Sequence, residues 1–153
     1  MEIKVKTLSH YDKALPLPSY QTIGSVGADV HAQLAHLELK DKKLVIKPGE
    51  RVLIPTAICF EIPHGYEIQV RPRSGLSLKS SLLIVNSPGT IDSDYRGELQ
   101  IIMGNFGDQD AIIKHGDRVA QLVVSPIIRA SFILSDELSK TKRSEGGMGH
   151  TGD

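Results

Sequence analysis

The sequence predicts an all-β domain, and three observations carry that prediction. The apolar runs are short and rich in Val and Ile, while 14 Gly and 8 Pro are spread between them as punctuation. The only helix candidate is one or two turns inside 74–81. No run of about 18 apolar residues exists, so no membrane span is expected. At 153 residues with 40% hydrophobic and 24% charged side chains, the chain suits one domain with a packed core.

In order, strands are expected near 2–6, 28–33, 44–46, 51–55, 57–61, 66–71, 82–85, 98–103, 111–113, 118–124 and 128–134. Met1–Lys6 alternates as a strand does and is not a signal peptide. Leu15-Pro16-Leu17-Pro18 is too stiff for a helix and should run extended along the surface. Lys47-Pro48-Gly49-Glu50 and Pro63-His64-Gly65 read as plain turns. Cys59 lies inside Ala57-Ile58-Cys59-Phe60, a buried-strand pattern. One cysteine forms no intrachain disulfide, which fits a reducing, cytoplasmic compartment.

Lys+Arg and Asp+Glu are 18 each, so no global charge draws the chain to nucleic acid or to an anionic membrane. Any anionic ligand must be held by local groups. The histidines His10, His31, His36, His64 and His115 lack partners at metal-ligand spacing; they read as surface filler, and zinc is not supported.

Five stretches stand out. Gly27-Ala28-Asp29 sets a carboxylate at a strand start; it makes a turn bond or serves as an outer-shell ligand of a hydrated cation. Arg73-Ser74-Gly75 follows a strand and opens the short helix. Free N–H groups, a hydroxyl and a guanidinium fork can cradle phosphate, and a helix cap with an exposed Arg is the plainer alternative. Gly89-Thr90-Ile91-Asp92-Ser93-Asp94-Tyr95-Arg96-Gly97 lies between two strand-like runs and reads as a β-hairpin end. It carries more chemistry than a turn needs: a candidate general base and a flat ring on a rigid platform. Gln121 interrupts the apolar side of a strand and is either a backbone clamp or a ligand contact. Last, Arg143 to Gly152 holds four glycines in seven residues, a frayed end or a mobile flap, with Arg143 and Thr151 as phosphate contacts and Met148 as a cover for a base.

In this order the five stretches resemble the five motifs of the homotrimeric dUTP pyrophosphatases, the dUTPases, over nearly the whole chain. The resemblance implies a jelly-roll-like β-clip domain spanning 1–137. A Gly-rich arm, 138–153, would be exchanged within a homotrimer and would close over an active site. The implied reaction is hydrolysis of dUTP to dUMP and pyrophosphate. It limits uracil incorporation into DNA and supplies dUMP for thymidylate synthesis, with no nucleic-acid or membrane partner. Carried over by residue, Asp92 matches the base that activates water, Asp94 hairpin support, and Tyr95 the ring that rejects a 2′-hydroxyl. Asn86 matches the uracil reader, with backbone groups around Thr90, Ile91 and Gln100. Arg73, Ser74, Gly75 and Gln121 match phosphate contacts, and Arg143, Gly147, Met148, Gly149 and Thr151 the flap. Mg²⁺ would ride on phosphate oxygens and waters with no direct protein ligand, Asp29 touching it only through water. Where the family usually has Phe, this chain has Met148, which implies a looser lid. The deaminases of dCTP share the fold but place their chemistry on a Glu, and the Gly-rich tail argues against them.

Overall fold

A computed structural model describes residues 1–146. Twelve strands, one short α-helix and a single 3-10 turn at Lys40–Lys42 make up the regular structure of the described residues. The strands and the helix are β1 (Lys4–Thr7), β2 (Ser19–Tyr20), β3 (Ala28–His31), β4 (Lys43–Ile46), β5 (Arg51–Pro55), β6 (Ile58–Glu61), β7 (Tyr66–Arg71), α1 (Ser74–Lys79), β8 (Leu82–Ile84), β9 (Gly89–Ile91), β10 (Gln100–Asn105), β11 (Ala111–Lys114) and β12 (Arg118–Pro126). The predicted all-β class holds, as does the short helix.

Every strand pairing is antiparallel. The largest sheet runs β2-β3-β12-β7-β9, the next β5-β10-β8, and β1-β6 and β11-β4 are two-stranded. Period-2 burial explains the arrangement. In β7, Ile68 and Val70 are buried while Glu67 and Gln69, which alternate with them, are not; β10 buries Ile101 and Met103 likewise. Their inward faces meet Leu34, Ile46, Ile54, Ile113 and Val119 in one hydrophobic core. Cys59 is buried in β6 as a free thiol.

Three features depart from the sequence reading. Two short strands, β2 and β9, were not anticipated; β9 is the arm of the hairpin segment that pairs with β7. The expected strand over 128–134 does not form. Regular structure ends at Pro126, and Ile128, Phe132 and Leu134 are 97–99% exposed. The apolar pattern is there, but a strand needs a neighbour for its backbone groups, and none of the described residues offers one. Finally, His115 is no surface filler. Its Nδ1 accepts the Leu34 N–H (2.9 Å) and its Nε2 lies 3.0 Å from an Asp12 carboxylate oxygen, so it ties two loops together. His10 and His36 also meet, with ring centroids 4.0 Å apart.

Candidate active site

The hairpin segment forms a cleft of about 270 Å³, lined among others by Asn86, Thr90, Asp92, Tyr95 and Gln100. Each side chain is placed by a local cause. Gly89 opposes Val70 in the β9–β7 ladder; a β-carbon there would stand 3.2 Å from the Asn86 amide nitrogen and 3.3 Å from Val70, so glycine lets Asn86 lie against the strand. Asn86 is exposed and lines the cleft. Ile91 is buried and anchors β9 in the core, whereas Thr90 between its neighbours faces out.

Asp92 follows directly. Its carbonyl accepts the Tyr95 N–H (3.2 Å), which closes a turn and leaves the carboxylate exposed at the lip. Among the described residues that carboxylate has no hydrogen-bond partner. Tyr95 is 48% exposed, and its hydroxyl donates to the Glu98 carbonyl at 3.0 Å. A β-carbon on Gly97 would overlap the Tyr95 hydroxyl and stand 2.6 Å from Cζ, so the ring is seated on a residue with no side chain. The brace expected from Asp94 is supplied by Arg96 instead: its Nη1 donates to the carbonyls of Ser93 (2.7 Å) and Tyr95 (2.9 Å), while Asp94 points to solvent.

A second, polar cleft of about 310 Å³ gathers Gly27, Asp29, Arg73, Ser74, Gly75 and Gln121. Asp29 makes no turn bond. It is 6% exposed, and its two carboxylate oxygens accept from Arg73 Nε and Arg118 Nη1, each at 2.9 Å. The ion pair aims both guanidinium groups, and Arg73 also donates to the Arg118 carbonyl (3.2 Å). Of its two expected readings, Gln121 takes that of the backbone clamp. Its Nε2 clamps the Pro72 carbonyl at 2.8 Å, and its side chain lines the cleft. Ser74 and Gly75 are exposed in the first turn of α1, where no side chain caps the helix N–H groups.

The two clefts do not merge. Ile91 lies opposite Ile68 near the start of β7, whereas Arg73 comes five residues later, past its end. At about 3.3 Å per residue that is roughly 17 Å of strand. Arg143 joins neither cleft of its own chain; it is exposed and donates to the Gly146 carbonyl at 2.9 Å. Gly147, Met148, Gly149 and Thr151 lie outside the described residues. Among the described residues no group of three His, Cys, Asp or Glu is gathered to hold a metal directly. Arg118 and Glu98 were not singled out beforehand. Their roles rest on partners 89 and 41 positions away, which no local pattern reveals.

A family model described as dUTPase matches residues 13–152. The chain belongs to the dUTPase family. A relative from Roseobacter denitrificans, named deoxyuridine 5′-triphosphate nucleotidohydrolase, is 49% identical over 152 residues, covering 99% of this chain and 97% of the relative. The Staphylococcus bacteriophage 80alpha dUTPase solved with dUPNHPP superposes with a TM-score of 0.84 at 27% identity, covering 99% of both chains. A dUTPase from phage phi11 of S. aureus, whose structure describes the coordination of a structural Mg(II) ion, is 24% identical with a TM-score of 0.73, covering 90% of this chain and 98% of the other; it shares the fold. The two clefts of this dUTPase fall on the stretches that carried the resemblance in sequence.

Proposed function

We propose that this dUTPase hydrolyses dUTP to dUMP and pyrophosphate, with Asp92 as the general base. The observation that carries the reading is the exposed, unpartnered carboxylate of Asp92 at the mouth of a cleft walled by Tyr95 and fronted by the Asn86 amide. A water held by that carboxylate attacks the α-phosphorus. Its proton passes to Asp92, the bond from the α-phosphorus to the bridging oxygen breaks, and pyrophosphate leaves. Asn86 and the edge of β9 read the uracil, and Tyr95 closes the space a 2′-hydroxyl would need.

The phosphate cradle is Arg73, Ser74, Gly75 and Gln121. Because it stands at the far end of β7 from Asp92, one copy of the chain holds the base and sugar while another holds the phosphates. That division supports a homotrimer. The exposed apolar run from Ile128 to Leu138 supports an arm, 138–153, that leaves the 1–137 body for a neighbour and brings Arg143, Gly147, Met148, Gly149 and Thr151 to its site. The donor set fits a metal carried by the substrate: Asp29 is already engaged by two guanidinium groups and would reach Mg²⁺ only through water. Bound Mg²⁺ would offset the charge of the phosphates.

The test is pyrophosphate release from dUTP, UTP, dTTP and dCTP, with the mass in solution measured alongside. dUTP turnover far above the others, from a particle of three chains, is expected. Ammonia from dCTP, or dUTP binding without pyrophosphate, overturns the reading.

A further inference from the structure

Glu98 sits at the base of the hairpin segment, and its side chain turns back into the body. Its Oε1 accepts the Ala57 N–H at 2.7 Å. Ala57 is fully buried and holds a left-handed φ of 54°, a conformation that residues with a β-carbon seldom adopt. In that conformation the Ala57 N–H meets the Glu98 carboxylate. Two neighbouring bonds complete a seam: Thr56 Oγ1 donates to the Leu99 carbonyl (2.5 Å), and Leu99 N–H donates to the Ile58 carbonyl (2.8 Å). On the outer side, His10 Nε2 is buried, has no hydrogen bond, and stands 3.8 Å from the same Glu98 Oε1; the His36 ring backs it. The Glu98 side chain is thus enclosed, only 18% exposed, between a buried amide and an imidazole. The carbonyl of this same residue receives the Tyr95 hydroxyl.

We propose that Glu98 is a positioning residue for sugar discrimination. By fastening the hairpin base to Ala57, it fixes the carbonyl that holds the Tyr95 phenol, and so sets how far the ring stands from the sugar. The inference rests on the proposed dUTP hydrolysis, since it deepens the role of Tyr95 in that reaction. Glu98 acts through Tyr95 and takes no part in the bond changes.

The experiment compares kcat/KM for UTP and dUTP in wild type, Glu98→Gln, Glu98→Asp and Glu98→Ala. Gln keeps an oxygen at the right reach and should hold the wild-type ratio. Asp is one methylene short, loses the Ala57 N–H, and should raise the UTP-to-dUTP ratio by roughly 10- to 100-fold, the scale on which one small misfit in a pocket changes discrimination. Glu98→Ala should do the same; if it fails to fold, Glu98→Asp decides. Tyr95→Phe, which removes the hydroxyl alone, should relax the ratio similarly, and adding it to Glu98→Asp should change little further. A wild-type ratio in folded Glu98→Asp, or a ratio as relaxed in Glu98→Gln as in Glu98→Asp, overturns the proposal. Wild-type protein that does not turn over dUTP would instead overturn the proposed function itself.

Discussion

Gly27 and Gln121 occupy one packed spot: a β-carbon on Gly27 would overlap the Gln121 Oε1 and stand 2.9 Å from its Cδ. The Gln121 side chain lies in that space because its Nε2 holds the Pro72 carbonyl, one residue before Arg73. Gly27→Ala must therefore push Gln121 off the loop that presents Arg73, Ser74 and Gly75. The fold should survive, since Gln121 is only partly buried. KM for dUTP should rise by about tenfold, with a smaller fall in kcat, because a loosened cradle weakens ground-state binding most. Steady-state kinetics beside a melting curve checks both halves.

Asp92→Asn keeps size and polarity but removes the proton acceptor. With the Asp92 carboxylate exposed and no buried partner to lose, stability should change by less than about 0.5 kcal/mol. kcat for pyrophosphate release should drop by roughly 10²- to 10⁴-fold, the usual share of a general base. Near-normal turnover in Asp92→Asn removes Asp92 from the reaction.

These two cases show what the sequence could reveal. Asp92, Tyr95 and Gly97 lie close together in the chain, so one loop presents them jointly and their chemistry is readable in a line. The strands from β4 to β7 are legible for a similar reason, since period-2 burial is a local pattern. The partners of Asp29 are not local: Arg73 is 44 residues away and Arg118 is 89. Only the β3–β12 register and the turn after β7 bring them together. Ala57 is hidden in another way, because an alanine gives no hint of a left-handed φ. The segment 128–134 is apolar enough to suggest a strand, yet a strand also needs a partner, and that information is not in the segment.

The buried carboxylate of Asp29 carries a structural and an orienting role at once. In Asp29→Asn, one amide replaces two charge-assisted acceptors, leaving Arg73 and Arg118 to seek other partners. The loss in stability should be about 1.5–3 kcal/mol, since Arg118 is 43% exposed and rehydrates readily. Catalytic efficiency on dUTP should fall by at least about tenfold as Arg73 leaves its aim. Asp29→Asn with wild-type efficiency would mean that the ion pair serves stability alone.

The resemblance in sequence sets Met148 at the position where the fifth motif would carry an aromatic residue. A thioether covers a π face but does not stack as a plane, and base stacking on an aromatic is worth roughly 1–3 kcal/mol. Met148→Phe should lower KM for dUTP, by about fivefold at the low end of that range, and leave the melting temperature unchanged. A KM that does not fall removes this residue from the closed site.

Asp12 gives the fold a pH signature. Its carboxyl is held below its ordinary 3.8, first by the Ala14 N–H (2.9 Å) and next by the bond to His115. His115 accepts the Leu34 N–H at Nδ1, so Nε2 carries the proton that Asp12 receives. The sign follows from the lowered value. A depressed carboxyl contributes stability that is fully present above its unfolded value near 3.8, and that is lost as pH falls through the folded value beneath it. Asp12→Asn should therefore melt earlier than wild type at neutral pH, and the two melting curves should converge as pH drops below that range. A gap that stays constant from pH 7 to pH 3 would mean that the Asp12 charge adds nothing to the link between the 12 and 115 loops.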